Sequence, residues 1–168
     1  STLNPSSAAS DVYKRQVMLI DDFAKEVDFF SIGTNDLIQF TLAVDRSNEK
    51  IASLFNAHHP SILKMIHLTC KAAHERGIPV SVCGEMASDP LSVLLLAGLG
   101  VDELSMSPWS IMETKELVRS LNFSDLRNSA LACLKLTSAH QIDAYLYKKY
   151  GPLVMDINAN SPVSYTHL

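Results

Sequence analysis

With 168 residues, 47% of them hydrophobic and 19% charged, the chain has the length of one domain and enough apolar material for a core. A net charge of −4 gives no electrostatic footprint for nucleic acid, and no apolar run approaches the roughly 20 residues of a membrane span, so neither nucleic-acid binding nor membrane insertion is expected. Cys70, Cys83 and Cys133 are odd in number and lack CxxC spacing, which argues against a disulfide framework or zinc knuckle and for a reducing cytoplasm.

Residues 1–16 are Ser/Ala-rich without period, and residues 161–168 are polar without a partner pattern. Both read as non-native tails and stay outside the fold reading, the alternative being ordinary disordered termini. Residues 17–26 predict the end of a helix, with Met18, Leu19, Phe23 and Val27 on one side. Residues 27–33 are a first strand, an apolar run stopping at Gly33, where the chain can turn sharply. Thr34, Asn35 and Asp36 then fall at the strand's carboxyl end, where α/β proteins bind ligands. The amides opening the next helix favour an anion there, and Asp36 offers a carboxylate to a hard cation.

Residues 37–44 and 48–56 are short helical segments. Residues 60–76 form the clearest helix: Ile62, Leu63, Ile66, Cys70 and Ala73 share a face, and Gly77 stands at its C-cap. Residues 78–83 are a second strand, broken by Gly84. Asp89 and Pro90 have the character of an N-cap and first helical residue for an apolar helix over 91–99. Residues 101–107 are a third strand, after which Ser110 and Glu113 have capping-box spacing for a helix to 121. Ser124 opens another helix, and Ser138 with Gln141 a last one that ends at Gly151-Pro152.

Strands separated by helices imply a parallel sheet. Near each strand's end one parity is small or polar (Ser31, Gly33; Ser81, Cys83; Ser105, Ser107) and the other apolar (Phe30, Ile32; Val80, Val82; Leu104, Met106). Side chains alternate faces along a strand, so each strand has a greasy side for helices and a small, polar side. A sheet covered by helices on both faces favours apolar residues on both. The pattern fits a barrel lumen better, yet a (β/α)8 barrel needs about 250 residues. The expected fold is therefore α/β, the C-terminal part of a (β/α)8 barrel with about three parallel strands over residues 17–121. C-terminal helices follow over 122–152, and then a tail over 153–168.

Three chemically loaded turns converge at the three strand ends. Ser31-Ile32-Gly33-Thr34-Asn35-Asp36-Leu37 with Thr41-Leu42-Ala43-Val44-Asp45-Arg46 resembles enzyme I of the bacterial sugar phosphotransferase system, the phosphoenolpyruvate–protein phosphotransferase family. Cys83-Gly84-Glu85-Met86-Ala87 and Leu104-Ser105-Met106-Ser107 follow in that family's order and spacing. The resemblance covers residues 17–121 well and the final helices more loosely. It implies a C-terminal barrel that binds phosphoenolpyruvate and Mg²⁺. The phosphoryl group passes to a histidine of an N-terminal domain and on to a histidine phosphocarrier protein, in a homodimeric enzyme. By resemblance Asp36 matches the magnesium carboxylate, Asn35 and Arg46 match phosphate-binding positions, and Cys83 matches the acid that protonates the enolate to give pyruvate. A thiol with an unperturbed pKa near ~8.5 is mostly protonated at neutral pH and can donate.

The family's second metal carboxylate and further arginines come from earlier strands, and no phosphorylatable histidine domain is present, so this piece alone is expected to be inactive. Ser88 replaces a glycine common in that loop. The Thr34-Asn35-Asp36 and Cys83-Gly84-Glu85 elements alone would be shared with pyruvate phosphate dikinase and phosphoenolpyruvate synthase, and the segment 41–46 tips the resemblance to enzyme I; a non-catalytic dimerisation module is a reading of another class. Plainer roles stand beside each assignment. Asp36 is otherwise a helix cap, Asn35 a turn residue, Cys83 a small buried hydrophobe, and Arg46 a solvated charge. Glu85 lines the pocket or is simply paired. Cys70 and Cys133 read as core, His58 and His59 as a loop pair rather than ligands, and His67 and His74 as the exposed flank of their helix.

Overall fold

The computed structural model describes residues 9–12, 14–44, 51 and 54–160. Within them four parallel strands form one sheet in chain order: β1 (Ala9–Asp11), β2 (Phe29–Gly33), β3 (Val80–Cys83) and β4 (Glu103–Ser105). Helices α1 (Lys14–Val17) and α2 (Ile20–Phe23) lie between β1 and β2, and α3 (Thr34–Leu42) and α4 (Pro60–His74) between β2 and β3. Helix α5 (Pro90–Leu99) precedes β4, and α6 (Pro108–Arg119), α7 (Phe123–Cys133) and α8 (Ala139–Asn160) follow it. The parallel α/β arrangement with extra C-terminal helices agrees with the expected end of a (β/α)8 barrel. The predicted segment 48–56 falls largely outside the described residues.

The register aligns the two faces across strands. Phe30 pairs with Val80 and Ile32 with Val82, and all four are fully buried. On the other face Ser31, Ser81 and Glu103 form one row and Gly33, Cys83 and Ser105 the next. No member of these two rows is fully buried. The alternation read from the sequence is thus the division between a helix-covered face and a small, more open one.

Several expectations are corrected. Residues 9–12 belong to the fold: Ala9–Asp11 pair with Phe29–Ser31, and Val12 is fully buried. A strand there satisfies backbone groups that the edge of β2 would otherwise leave open. In place of one helix over 17–26, residues 14–23 make two single turns, α1 and α2, and the buried positions are Val17, Ile20 and Ala24, while Met18 and Leu19 are 80% and 56% exposed. That stripe keeps a helical i, i+3, i+7 spacing, one step away from the one expected. Helix α6 starts at Pro108 with Ser107 as its N-cap, so Ser110 lies inside the helix and forms no capping box with Glu113. Proline's fixed φ favours that earlier start. Asn122, not Ser124, caps α7, its side chain accepting from the Ser124 amide at 2.8 Å. Helix α8 begins as expected, with the Gln141 amide donating to Ser138 Oγ, but runs through Pro152 to Asn160. Burial of Ile157, with Leu153 and Val154 against the core, outweighs the bond lost at proline.

The caps at α5 and the apolar face of α4 are as read. Asp89 accepts from the Ser92 amide at 2.8 Å ahead of Pro90. Ile62, Leu63, Ile66, Cys70 and Ala73 are all buried. Helix α5 packs directly on α7 at Gly98, where a Cβ would stand 2.3 Å from the Leu126 carbonyl oxygen. Only glycine permits that approach.

Candidate functional site

The site is built where β2 passes straight into α3. Gly33 is the N-cap of α3 and provides no side-chain acceptor, so the first-turn amides are left to other partners. Thr34, fully buried, turns its hydroxyl across to the next strand and donates from Oγ1 to the Cys83 carbonyl at 2.8 Å. Asn35 Oδ1 accepts from the Glu85 amide at 3.3 Å. With its oxygen engaged by an N–H, the Asn35 side chain keeps its NH₂ group for donation. The loop after β2 and the loop after β3 are therefore stitched together by two hydrogen bonds.

Gly84 makes this contact sterically feasible. Its φ of +103° lies where glycine is strongly favoured, and a Cβ there would fall 2.5 Å from Thr34 Oγ1 and 3.2 Å from Asn35 Oδ1. A single 3₁₀ turn, Glu85–Ala87, follows and anchors the loop with Met86 and Ala87, both buried.

Asp36 sits in the first turn of α3 with its side chain exposed. It is not the helix cap, because Gly33 holds that position. A Cβ built on Gly33 would stand 3.8 Å from Asp36 Oδ2. Gly33 is the register partner of Cys83, so that Cβ direction is the face on which the Cys83 side chain projects. The Asp36 carboxylate, one turn into α3, thus lies over the small, open face on which the thiol projects, at the ends of the neighbouring strands β2 and β3. Ser105, the next register partner of Cys83, extends the same row to β4.

Of the three thiols Cys83 is the partly exposed one. Cys70 and Cys133 are buried, and burial pushes their pKa values up to about 12 and about 11. Both are core residues, as read. Among the described residues no three His, Cys, Asp or Glu side chains gather as a ready-made cation cage. Asp36 offers an exposed carboxylate at this mouth, of the chemistry that suits an ion taking its other oxygens from substrate and water. Arg46 lies outside the described residues. The structure therefore brings Asn35, Asp36 and Cys83 to one mouth and leaves Arg46 unplaced.

Two features were not legible in the sequence. The Thr34 and Asn35 bonds to the neighbouring loop depend on strand register, and their only sequence trace is the glycine after Cys83. His58 stands in the loop before α4, as read, but the loop position hides its contacts. It is buried, with Nδ1 2.6 Å from Asp143 Oδ1 and Nε2 2.9 Å from Ser92 Oγ, partners 85 and 34 positions away. His59 accepts from the Ser61 amide as the N-cap of α4, and His67 is partly buried rather than on an exposed flank.

Comparison with known proteins follows the same lines. Residues 13–123 match the family model described as PEP-utilising enzyme, PEP-binding domain. The chain is 46% identical over 125 residues to the phosphoenolpyruvate-protein phosphotransferase of Priestia megaterium, a match covering 74% of this chain and 22% of that protein. It is 46% identical over 133 residues to that of Listeria monocytogenes, covering 79% and 23%. With that of Haemophilus influenzae it shares 51% over 120 residues, covering 71% and 21%. The resemblance carried by the strand-end motifs is borne out, and the chain spans about a fifth of the length of these relatives.

Proposed function

Since the chain belongs to the PEP-utilising enzymes and matches their PEP-binding domain, we propose that it holds phosphoenolpyruvate for phosphoryl transfer to a protein histidine, as part of a phosphoenolpyruvate–protein phosphotransferase. The observation that carries this reading is the stitched pair of loops, which sets the Asp36 carboxylate and the Cys83 thiol on one face beside the Asn35 amide.

Phosphoryl transfer asks the protein mainly for positioning and charge neutralisation. The Asn35 NH₂ group and the first-turn amides of α3 are donors suited to phosphate oxygens. Asp36 is the residue that would hold Mg²⁺, which when bound supplies positive charge to the phosphate. Arg46 has the planar fork that grips two phosphate oxygens at once. As the bond from phosphorus to the enol oxygen breaks, its electron pair passes through the enolate to the methylene carbon. Cys83 donates the proton that carbon takes, giving pyruvate, and the thiolate recovers a proton from water. Protonation removes the species able to take the phosphoryl group back.

In this reading the acceptor histidine lies on an N-terminal domain that serves a histidine phosphocarrier protein of the sugar transport system, and the enzyme is a homodimer. The free thiols suit the cytoplasm, and no helix among the described residues is long and apolar enough to cross a membrane. A dikinase or synthase using the same half-reaction is the second reading. The named phosphotransferase relatives favour the first.

The test uses a full-length phosphotransferase carrying this segment. Cys83→Ala is expected to keep phosphoenolpyruvate binding while turnover falls by about 10²–10⁴-fold, and unchanged turnover overturns the acid role. Asp36→Ala is expected to abolish Mg²⁺-dependent activity, and full activity at ordinary Mg²⁺ concentrations overturns the metal role.

A further inference from the structure

Thr34 is the first residue of α3 and is fully buried, so its hydroxyl needs a partner inside the protein. Threonines at helix starts commonly bond backbone groups of their own turn. Here Oγ1 donates instead to the Cys83 carbonyl, 49 positions away, at 2.8 Å. One residue later Asn35 Oδ1 accepts from the Glu85 amide at 3.3 Å. The two bonds hold the two peptide units that flank Gly84, the first by its carbonyl and the second by its N–H.

This hold reaches the thiol through the backbone. Cys83 is the last residue of β3, and the register with both β2 and β4 ends at it. Beyond it the sheet no longer restrains the chain, and Gly84, at φ +103° and ψ −171°, is the residue with the widest conformational freedom. A peptide unit is planar, so fixing the direction of the Cys83 carbonyl fixes the backbone rotation that follows the Cys83 Cα. The rotamers open to a side chain depend on that rotation. The Thr34 hydroxyl therefore bears on where the Cys83 sulfur points.

We propose that Thr34 is a positioning residue for phosphoenolpyruvate turnover: its hydroxyl, acting through the Cys83 carbonyl, keeps the Cys83 thiol directed at the enolate it protonates. This rests on the acid role given to Cys83 above. Thr34 has no accessible surface and so does not meet substrate itself. Its effect is on the proton transfer and not on affinity, because a misplacement of about 1 Å at a reacting group costs about 10²-fold in rate.

Thr34→Val keeps the shape of the side chain without its hydroxyl, Thr34→Ser keeps the hydroxyl, and Thr34→Ala removes the hydroxyl without setting a methyl group against Gly84. Amide exchange at Glu85, measured on the full chain, is expected to rise about three- to tenfold in the valine and alanine variants and to stay within about twofold in the serine variant. In a full-length phosphotransferase carrying this segment, the valine and alanine variants should lose about 10–10²-fold in kcat with KM changed less than about threefold, and serine should restore kcat. Placed on Cys83→Ala, Thr34→Val should cost less than about threefold more, since its effect runs through the thiol. Ser81→Ala removes another hydroxyl–carbonyl bond between the same strands, Ser81 Oγ to Phe30 O at 3.2 Å, and should leave kcat unchanged. Unchanged exchange at Glu85 overturns the proposal, and so does raised exchange with wild-type kcat. A full Thr34→Val loss on the Cys83→Ala background, or an equal loss in Ser81→Ala, shows a role that bypasses the thiol or serves folding alone, and also overturns it. Unchanged turnover in Cys83→Ala with Thr34 intact is the separate result that removes the acid role, and the positioning role with it.

Discussion

Gly84→Ala tests whether the two strand-end loops are held together by their own contact. Gly84 sits at φ +103° and ψ −171°, a region in which other residues cost about 1–3 kcal/mol. The added Cβ would stand 2.5 Å from Thr34 Oγ1. A buried threonine cannot swing away freely, so its hydroxyl must withdraw and its bond to the Cys83 carbonyl is lost. That bond is worth about 0.5–1.5 kcal/mol. Together the two effects predict a loss of about 2–4 kcal/mol, or a Tm lower by roughly 4–16 °C for a chain of this size.

The assay is urea and thermal unfolding of wild type, Gly84→Ala, Thr34→Ala and the double variant. Removing Oγ1 removes the atom with which the new Cβ collides. The double variant should therefore lose less than the sum of the singles, by about 0.5–1 kcal/mol. Strict additivity, or a Gly84→Ala loss under about 0.5 kcal/mol, would show that the loops do not depend on this contact.

His58→Ala removes a bridge between the segment before α4, the start of α5 and the N-terminal part of α8, leaving Ser92 Oγ buried. It is expected to cost about 2–4 kcal/mol in urea unfolding, and a loss under about 1 kcal/mol counts against a structural role. Cys70 has its pKa raised by burial from 9.0 to about 12. The unfolded thiol ionises first, so stability intact below pH 9.0 falls as pH climbs towards 12, and Cys70→Ala should flatten that alkaline slope. His67 is shifted the other way, its pKa lowered from 6.5. Its contribution is present above pH 6.5 and lost as pH falls through the folded value, so His67→Gln should flatten the acid side of the stability profile.

The face division of the sheet was legible because it is local. A strand's period of two is written into consecutive residues, so Phe30, Ile32, Val80 and Val82 identify the helix-covered side without knowledge of the neighbours. Asp89-Pro90 was legible for the same reason, since a cap and its amide lie within one turn. Where two local signals competed, the choice failed. Pro108 and Asn122 each began a helix ahead of the serine favoured from spacing. Contacts set by register left no such trace. Thr34 meets Cys83 across 49 positions, and His58 meets Asp143 across 85. Helix α8 continued past Pro152 because Ile157 is buried by the tertiary structure, which a proline in the sequence cannot reveal.

The C-terminal helices have a bearing on the chemistry although they stand apart from the sheet. The loop that carries Cys83 continues through the buried Met86 and Ala87 into α5. That helix packs on α7 closely enough to require Gly98, and on α8 as well. His58 ties the Ser92 turn of α5 to Asp143 on α8 and to the segment leading from α3 into α4. The loops bearing Asn35–Asp36 and Cys83 are therefore joined twice, directly at Thr34–Cys83 and Asn35–Glu85, and indirectly through α5, α8 and His58. A displacement of α8 must move the start of α5, and with it the turn that follows Cys83. Phosphoryl transfer is sensitive to misplacement of groups by about 1 Å. Substitutions in the α7–α8 pair, such as at Ser129, which bonds Tyr150 at 2.7 Å, should thus lower turnover in the full-length enzyme more than they lower phosphoenolpyruvate affinity. An equal loss in both would show that α8 supports folding alone.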